Sequence, residues 1–412
     1  MHTLLKAIGP GILVACAAVG GSHLVWSTRA GAQFGWALLW LIVLTNLLKF
    51  PFFLFGQRYT AATGESLLAG YRRHGMVCVW IFLGFNILTG TVNIAGVAML
   101  SGALLAGYGL EGVGVQTLTV ILIALCAILL LLGHYRLLDG FAKVIVAALA
   151  VSTVAAVILA AMNRPAIPAD FTAPSPYTWA SFAFIVSLLG WMPAPIDLSA
   201  WSSLWMFSRQ EQTGHFATVK ESAVDFYLGY VSAVVLAVLF TALGALVMFG
   251  TGAAFEESGI GFARQLVHLY TATIGSWSHL LILTAAFTTM FSTTITCLDG
   301  YPRSLAACCV LIGDLPPKRF SQITQAWIVI SALLAGLCVM LLARNLVQLL
   351  TFAAVVSFLT SPILAFINLK VMNGPNVPDR YKPGWFLNGL SIVGLVFFAV
   401  MTAGYVYTLL RG

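Results

Sequence analysis

Small and polar residues interrupt the first apolar stretch of this chain near its middle. Within residues 8–26, a run long enough to cross a bilayer, stand Gly20, Gly21, Ser22 and His23. Glycine favours a break in a helix, and a break exposes backbone groups that can hold a solute. The His23 imidazole could donate to an anionic group or titrate near neutral pH. All four residues are candidates for substrate binding, and His23 is also a candidate for coupling or gating.

A second interruption lies in the sixth apolar stretch, where two prolines fall within residues 191–197. Proline removes a backbone donor and disrupts the helical ladder. The candidate substrate-binding residues here are Trp191, Ala194, Pro195 and Asp197. The Asp197 carboxylate either faces a polar cavity or caps the following half-helix, and Trp191 either walls a solute or packs in the core. Two broken helices at matching places in two halves of a chain indicate the binding site of a secondary transporter.

Three further polar residues lie within apolar stretches and are candidates because such groups are costly in a membrane. Asn93 could line the cavity or bond a neighbouring helix. Asp299 lies four residues before Arg303, a spacing that favours a local ion pair or gate contact over substrate binding. Asp299 and Arg303 are therefore assigned to coupling or gating, as is Asp197.

The composition indicates an integral membrane protein, because 60% of the 412 residues are hydrophobic and only 8% are charged. Apolar runs long enough to cross about 30 Å of hydrocarbon recur about eleven times. We predict one all-helical transmembrane domain over 1–412. The approximate spans are 8–29, 34–57, 76–106, 116–133, 141–162, 178–208, 222–250, 275–303, 321–343, 345–370 and 385–409.

The basic residues favour a cytoplasmic N-terminus in a cell membrane. With that orientation, most of the 20 lysines and arginines, Lys49 included, fall at cytoplasmic ends. Those on the opposite side are Arg29, Arg164, Arg264, Arg344 and Arg411. Eleven spans then leave the C-terminus outside. The first repeat is 1–162, the second is 178–370, and 385–409 is an additional helix. Because five spans is an odd number, the two repeats must be inverted, as in the leucine-transporter-like (LeuT) architecture.

Several classes of function lack their sequence signals. The chain has no HExxH, GxSxG or CxxC motif and no GxxxxGK[ST] loop, so we expect neither an enzyme nor an ATP-driven pump. The seven cysteines do not form a metal or disulfide framework. The net charge of +7 is more typical of cytoplasmic loops than of a nucleic-acid partner. We expect no cofactor and no nucleic acid, and a protein that works as a monomer in the lipid bilayer.

Two segments beside the first break resemble the natural-resistance-associated macrophage protein (NRAMP) family. These are GPG at 9–11 and AGAQFGWALLW at 30–40. Ser202-Ser203-Leu204 after Pro195, and Lys143-Val144-Ile145 in span five, are also similar to family positions. The resemblance implies a LeuT-like fold, alternating access, and a substrate held between spans one and six.

The resemblance also shows where this chain departs from the family, which carries Mn²⁺ and Fe²⁺ with protons. The family's D-P-G-N segment corresponds to 20–23 here, and its M-P-H segment to 194–196. The acidic pair that carries protons in span three corresponds to Gly90 and Asn93. Because Gly20 and Ala194 supply no side-chain ligand, and a divalent ion gives up water only for good ligands, metal transport is disfavoured.

The sequence therefore predicts an NRAMP-like secondary transporter remodelled for a small non-metal solute, either an amino-acid-like zwitterion or an organic anion. An acidic group would lie on the backbone of 20–22, Asp197 could hold an amino group, and H⁺ or Na⁺ would be the coupling ion. One alternative is a transporter of Mg²⁺ or Mn²⁺ with a weaker or hydrated site. Another is a membrane sensor that transports nothing.

Overall fold

A computed structural model describes residues 2–133, 135–163, 167–252, 256, 259–342 and 345–411, without the side chains of 2, 135–146 and 342. Arg164 and Arg344, counted above by charge, lie outside the described residues. So do the side chains of Arg136 and of the segment 143–145 that resembles the family.

The described secondary structure is helical, as the apolar runs predict. Within the described ranges, seven helices are long and apolar enough to cross a membrane, or eight if the bent pair in span one is counted, and three shorter apolar helices accompany them. Helices coincide with all eleven predicted spans: span one, Pro10–Ala18 with Ser22–Phe34; span two, Leu39–Thr63; span three, Met76–Ala106; span four, Val115–Leu131; span five, Tyr135–Met162; span six, Trp179–Trp191 with Leu198–Thr213; span seven, Val219–Val247; span eight, His279–Ile312; span nine, Phe320–Leu342; span ten, Leu346–Leu359 with Ser361–Met372; span eleven, Trp385–Arg411.

Short helices connect or flank these spans. They are His2–Ala7 before span one, Leu67–Arg73 between spans two and three, and Gly259–Ile274 between spans seven and eight. Span eleven lies at the periphery, because only 17% of its apolar window is buried against the rest of the protein. The first half-helix of span one packs instead among spans six, seven and eight.

Both predicted breaks are present. The first half-helix of span one ends at Ala18, and the second begins as a π-helix, Ser22–Ser27, before it continues as an α-helix; the two halves are bent by 43°. In span six, regular helix stops at Trp191 and resumes at Leu198. The intervening Pro193 and Pro195 have no N–H to donate, which explains why no helical ladder crosses this segment.

Span seven anchors the beginning of span one through a buried carboxylate. Asp225 Oδ1 accepts from the Gly9 N–H at 2.8 Å, and Oδ2 accepts from the Gly11 N–H at 2.5 Å. A Cβ on Gly11 would lie 2.2 Å from the Asp225 carbonyl oxygen, and one on Gly229 would lie 1.9 Å from the Gly11 carbonyl oxygen. Only glycine permits this approach of the two backbones, which gives the GPG segment a packing role.

Candidate functional site

The two breaks face each other across a small cavity with a volume of about 30 Å³. Six of the predicted site residues line it: Gly21, Ser22, Asn93, Trp191, Ala194 and Pro195. The other lining residues are Ala17, Ala18, Val97, Pro193, Leu198, Trp201, Thr293, Cys297 and Tyr301. Among the residues that the structure describes, no acidic, basic or histidine side chain lines this cavity.

The glycines of the first break allow spans six and eight to approach closely. A Cβ on Gly21 would lie 2.4 Å from Cζ3 of Trp191, and one on Gly20 would lie 2.8 Å from the Thr293 side chain. Gly20 itself does not line the cavity. Since Gly21 and Ser22 begin the second half-helix, their N–H groups belong to the turn that has no intrahelical acceptors. The positive pole of this half-helix is thus directed at the cavity.

Asn93 joins four spans at the wall of the cavity. Its Nδ2 donates to the Tyr301 hydroxyl at 2.5 Å and to Ser357 Oγ at 3.1 Å, and its Oδ1 accepts from Trp191 Nε1 at 3.1 Å. Asn93 and Trp191 each line the cavity and also bond neighbouring helices. The Trp201 ring packs edge-on against Tyr301, with centroids 4.4 Å apart, and completes the wall.

His23 lies on the side of span one that faces span seven and does not line the cavity. Nε2 lies 2.8 Å from the Ala233 carbonyl oxygen of span seven, so this nitrogen is the donor. Nδ1 lies 2.9 Å from the Ala18 carbonyl oxygen and 2.6 Å from Ser22 Oγ. The Ser22 hydroxyl also donates to the Ala18 carbonyl. The last carbonyl of the first half-helix, a negative pole, is therefore capped by the chain itself.

Lys49 caps the corresponding carbonyls of span six. The side chain is fully buried at 0% exposure, and Nζ donates to the carbonyl oxygens of Leu189, Gly190 and Ala194 at 2.7, 2.8 and 3.0 Å. The charge count above placed Lys49 at a cytoplasmic helix end, which is wrong. The helix runs from Leu39 to Thr63 instead of over the predicted 34–57, and Lys49 is interior to both ranges.

Asp197 stands at the end of the second break, buried to 2% exposure and outside the cavity lining. Oδ2 accepts from the Thr89 hydroxyl at 3.2 Å, and Oδ1 has no hydrogen-bond partner among the described residues. Asp197 occupies the N-cap position of the following half-helix but makes no side-chain capping bond.

Asp299 and Arg303 form an ion pair, with Arg303 Nη2 2.7 Å from Asp299 Oδ1. Neither residue lines the cavity. Trp205 Nε1 donates to Asp299 Oδ2 at 2.9 Å, and Arg303 donates to Ser208 Oγ at 3.2 Å. The pair lines a larger cleft bounded also by Glu65. The i,i+4 spacing in the sequence predicted this contact.

Sequence reasoning missed Lys49, Tyr301 and Ser357 as parts of the site. Tyr301 and Ser357 carry no signal in a single sequence, because many other hydroxyl side chains occur in these spans. Lys49 did carry one, since it is a lone cation within a run of phenylalanines and leucines. Among the described residues, no three His, Cys, Asp or Glu side chains come together as a metal-holding group.

Comparison with known proteins gives a whole-chain match. The model of the family described as natural resistance-associated macrophage protein-like (Nramp) matches residues 11–409. An uncharacterized protein of Pasteurella multocida is 41% identical over 405 residues, which cover 97% of this chain and 92% of that protein. The divalent metal cation transporter MntH of Lacticaseibacillus casei is 23% identical over 431 residues, which cover 98% and 91%.

Solved structures share the fold. A manganese transporter of Eremococcus coleocola superposes with a TM-score of 0.71 at 18% identity, over 97% of this chain and 86% of that chain. MhsT in complex with L-phenylalanine superposes with a TM-score of 0.61 at 13% identity, over 95% and 98%. The predicted all-helical, LeuT-like class with about eleven spans is confirmed.

Proposed function

This chain belongs to the natural resistance-associated macrophage protein-like (Nramp) family, and we propose that it transports its substrate by alternating access. We propose further that the substrate is a small non-metal solute with an acidic group. The chain is a multi-pass protein of a transporter family. The observation that carries the proposal is the uncharged lining of the cavity between the two breaks. A dehydrated divalent ion needs charged or well-placed oxygen or sulfur ligands, and only a few neutral ones are offered here.

The polarity of the half-helices supports an anionic group in the cavity. The carbonyl ends that attract cations are bonded internally, Ala18 by the Ser22 hydroxyl and Ala194 by Lys49. The N–H groups of Gly21 and Ser22 lie at the opposite, positive pole. An organic anion or the carboxylate of a zwitterion would accept from these N–H groups. The Oδ1 of Asp197, which has no partner among the described residues, is the acceptor proposed for an amino group.

Coupling is proposed to pass through His23. An imidazole protonated at both nitrogens donates to the carbonyls of Ala18 and Ala233 together, which ties the first break to span seven. Proton coupling would then act on the break without an acidic or histidine side chain among the described residues that line the cavity. The Asp299–Arg303 pair, on the wall of the larger cleft, is proposed as a gate contact on the cytoplasmic side.

Divalent cation transport is the competing proposal, and it is supported by the names of two similar proteins, a divalent metal cation transporter and a manganese transporter. The ion would keep several waters, as Mg²⁺ often does. It would be held by neutral oxygens of Ser22, Asn93 and Thr293. This proposal requires that the divalent ion binds weakly and that it does not use the Ala18 and Ala194 carbonyls as ligands.

A screen of the purified protein separates the two proposals. Thermal unfolding is followed with amino acids, mono- and dicarboxylates, their neutral amides, Mg²⁺ and Mn²⁺. We expect a carboxylate to raise the midpoint and its amide to have no effect. The same solute should accumulate in proteoliposomes when an inward proton gradient is imposed, and His23→Gln should weaken that dependence. Asp197→Asn should weaken amino acids and leave simple carboxylates unchanged. Stabilisation by divalent ions alone would contradict the proposal.

A further inference from the structure

The Lys49 ammonium donates to backbone carbonyls at the break of span six. Neutral donors could also cap the end of this half-helix, so capping alone does not explain why a charged group stands there. The side chain starts from the interior of span two and is fully buried. Removing an ammonium from water costs several kcal/mol or more. Such a group persists in a membrane protein only with compensating partners, and it is a candidate functional residue for that reason.

All three N–H donors of the buried Lys49 ammonium have a hydrogen-bond acceptor. An ammonium has three donors, and the three acceptors are the carbonyl oxygens of Leu189, Gly190 and Ala194 at 2.7–3.0 Å. Two of these carbonyls end the first half-helix of span six, and the third belongs to the unwound segment. Carbonyls at the C-terminal end of a half-helix, together with unwound carbonyls, are the arrangement that coordinates coupling cations in broken-helix transporters.

We propose that the Lys49 ammonium is a tethered substitute for a bound monovalent cation in the break of span six. The proposal rests on the transporter function proposed above and deepens it, since it names the residue that makes a separate cation unnecessary at this position. The ammonium holds the Ala194 carbonyl in a hydrogen bond, and the buried Asp197 carboxylate stands at the end of the same break. The solute site is thereby held in shape, with a positive charge behind it, in every step of transport.

The proposal predicts that removing the tether creates a cation site. In Lys49→Ala the three carbonyls lose their donors, and a small cation that enters the space should restore them. Thermal midpoints without solute are compared in sodium, methylammonium and choline chloride at equal ionic strength. We expect the midpoint of Lys49→Ala to be low in choline and to rise saturably in sodium or methylammonium. The wild type should not distinguish the three salts.

Two variants serve as controls. Lys49→Met fills the space with an apolar chain, so it should be as unstable as Lys49→Ala and should not be rescued by any cation. Lys370→Ala removes a lysine from span ten whose ammonium lies over the Phe366 ring, and it should behave as the wild type in all three salts. If Lys49→Ala does not fold in choline, purification in methylammonium should restore the yield. A folded Lys49→Ala that is indifferent to the cation, or a yield that methylammonium does not restore, overturns the proposal.

The two proposals fail separately in these experiments. Cation rescue of Lys49→Ala together with Mn²⁺ transport by the wild type would overturn the solute proposal and leave the tethered cation standing. Binding of an organic carboxylate by the wild type, without cation rescue of the variant, would overturn the tethered cation and leave the solute proposal standing.

Discussion

Gly21→Val is expected to reduce solute uptake to the background of empty vesicles. The Cβ alone would lie 2.4 Å from the Trp191 ring, so the side chain separates the two breaks and covers the N–H groups proposed to hold the solute. Overpacking of a dense interior costs about 1–3 kcal/mol, and here that cost falls on the conformation that binds. Uptake of the stabilising carboxylate into proteoliposomes measures the effect.

The matched control for this variant is Gly84→Val in span three. A Cβ on Gly84 would meet nothing within 4 Å, and the residue is exposed on the helix surface. Uptake by Gly84→Val should remain close to that of the wild type. If Gly21→Val folds and transports as well as Gly84→Val does, the two breaks do not form the solute site.

Asp225→Ala is expected to lower the stability of the protein substantially, because it removes a buried carboxylate of span seven. The buried carboxylate, 1% exposed, accepts from the N–H groups of Gly9 and Gly11. Its removal leaves two buried donors without their acceptor, and each such loss costs about 1–3 kcal/mol. A loss of about 2–6 kcal/mol for the two donors together should appear as a lower midpoint in denaturant-induced or thermal unfolding.

Asp314→Ala is the control for Asp225→Ala. Asp314 pairs with Arg72 at 3.1 Å but is 85% exposed, and exposed ion pairs contribute little to stability. Asp225→Asn retains one acceptor and should fall between the two. Equal midpoints for Asp225→Ala and Asp314→Ala would show that the carboxylate does not hold the first half-helix in place.

The breaks could be predicted from sequence because their causes are local. Gly20 and Gly21 permit the first break, and Pro193 and Pro195 force the second, so the positions follow from backbone chemistry alone. Six of the nine predicted substrate-binding residues line the cavity for the same reason. They belong to the breaks or, like Asn93, to the polar positions of an apolar helix.

The directions of side chains around the breaks could not be predicted. The second half-helix of span one begins as a π-helix, which places more residues in each turn than an α-helix does, and His23 lies against span seven instead of the cavity. The charge count assigned Lys49 to a cytoplasmic helix end although the residue lies within the predicted span 34–57, because a single sequence does not show what would compensate a buried ammonium there. Its bonds to Leu189, Gly190 and Ala194 depend on a contact between distant segments that a single sequence does not contain.

The orientation of the termini, the division into repeats at 1–162 and 178–370, and the monomeric state remain predictions. They follow from the distribution of basic residues and from the positions of the two breaks. The family and the fold are established separately from them, by the match over residues 11–409 and by the shared architecture.

Mn²⁺ binding by the purified wild-type protein tests the central claim most directly, because the claim is that the two breaks present capped carbonyls and free N–H groups instead of metal ligands. Calorimetric titration with Mn²⁺ is run beside the divalent metal cation transporter MntH as a positive control. We predict no saturable heat for this protein, and saturable heat with the carboxylate found in the screen. Saturable Mn²⁺ binding that is lost in Asp197→Asn would contradict the account.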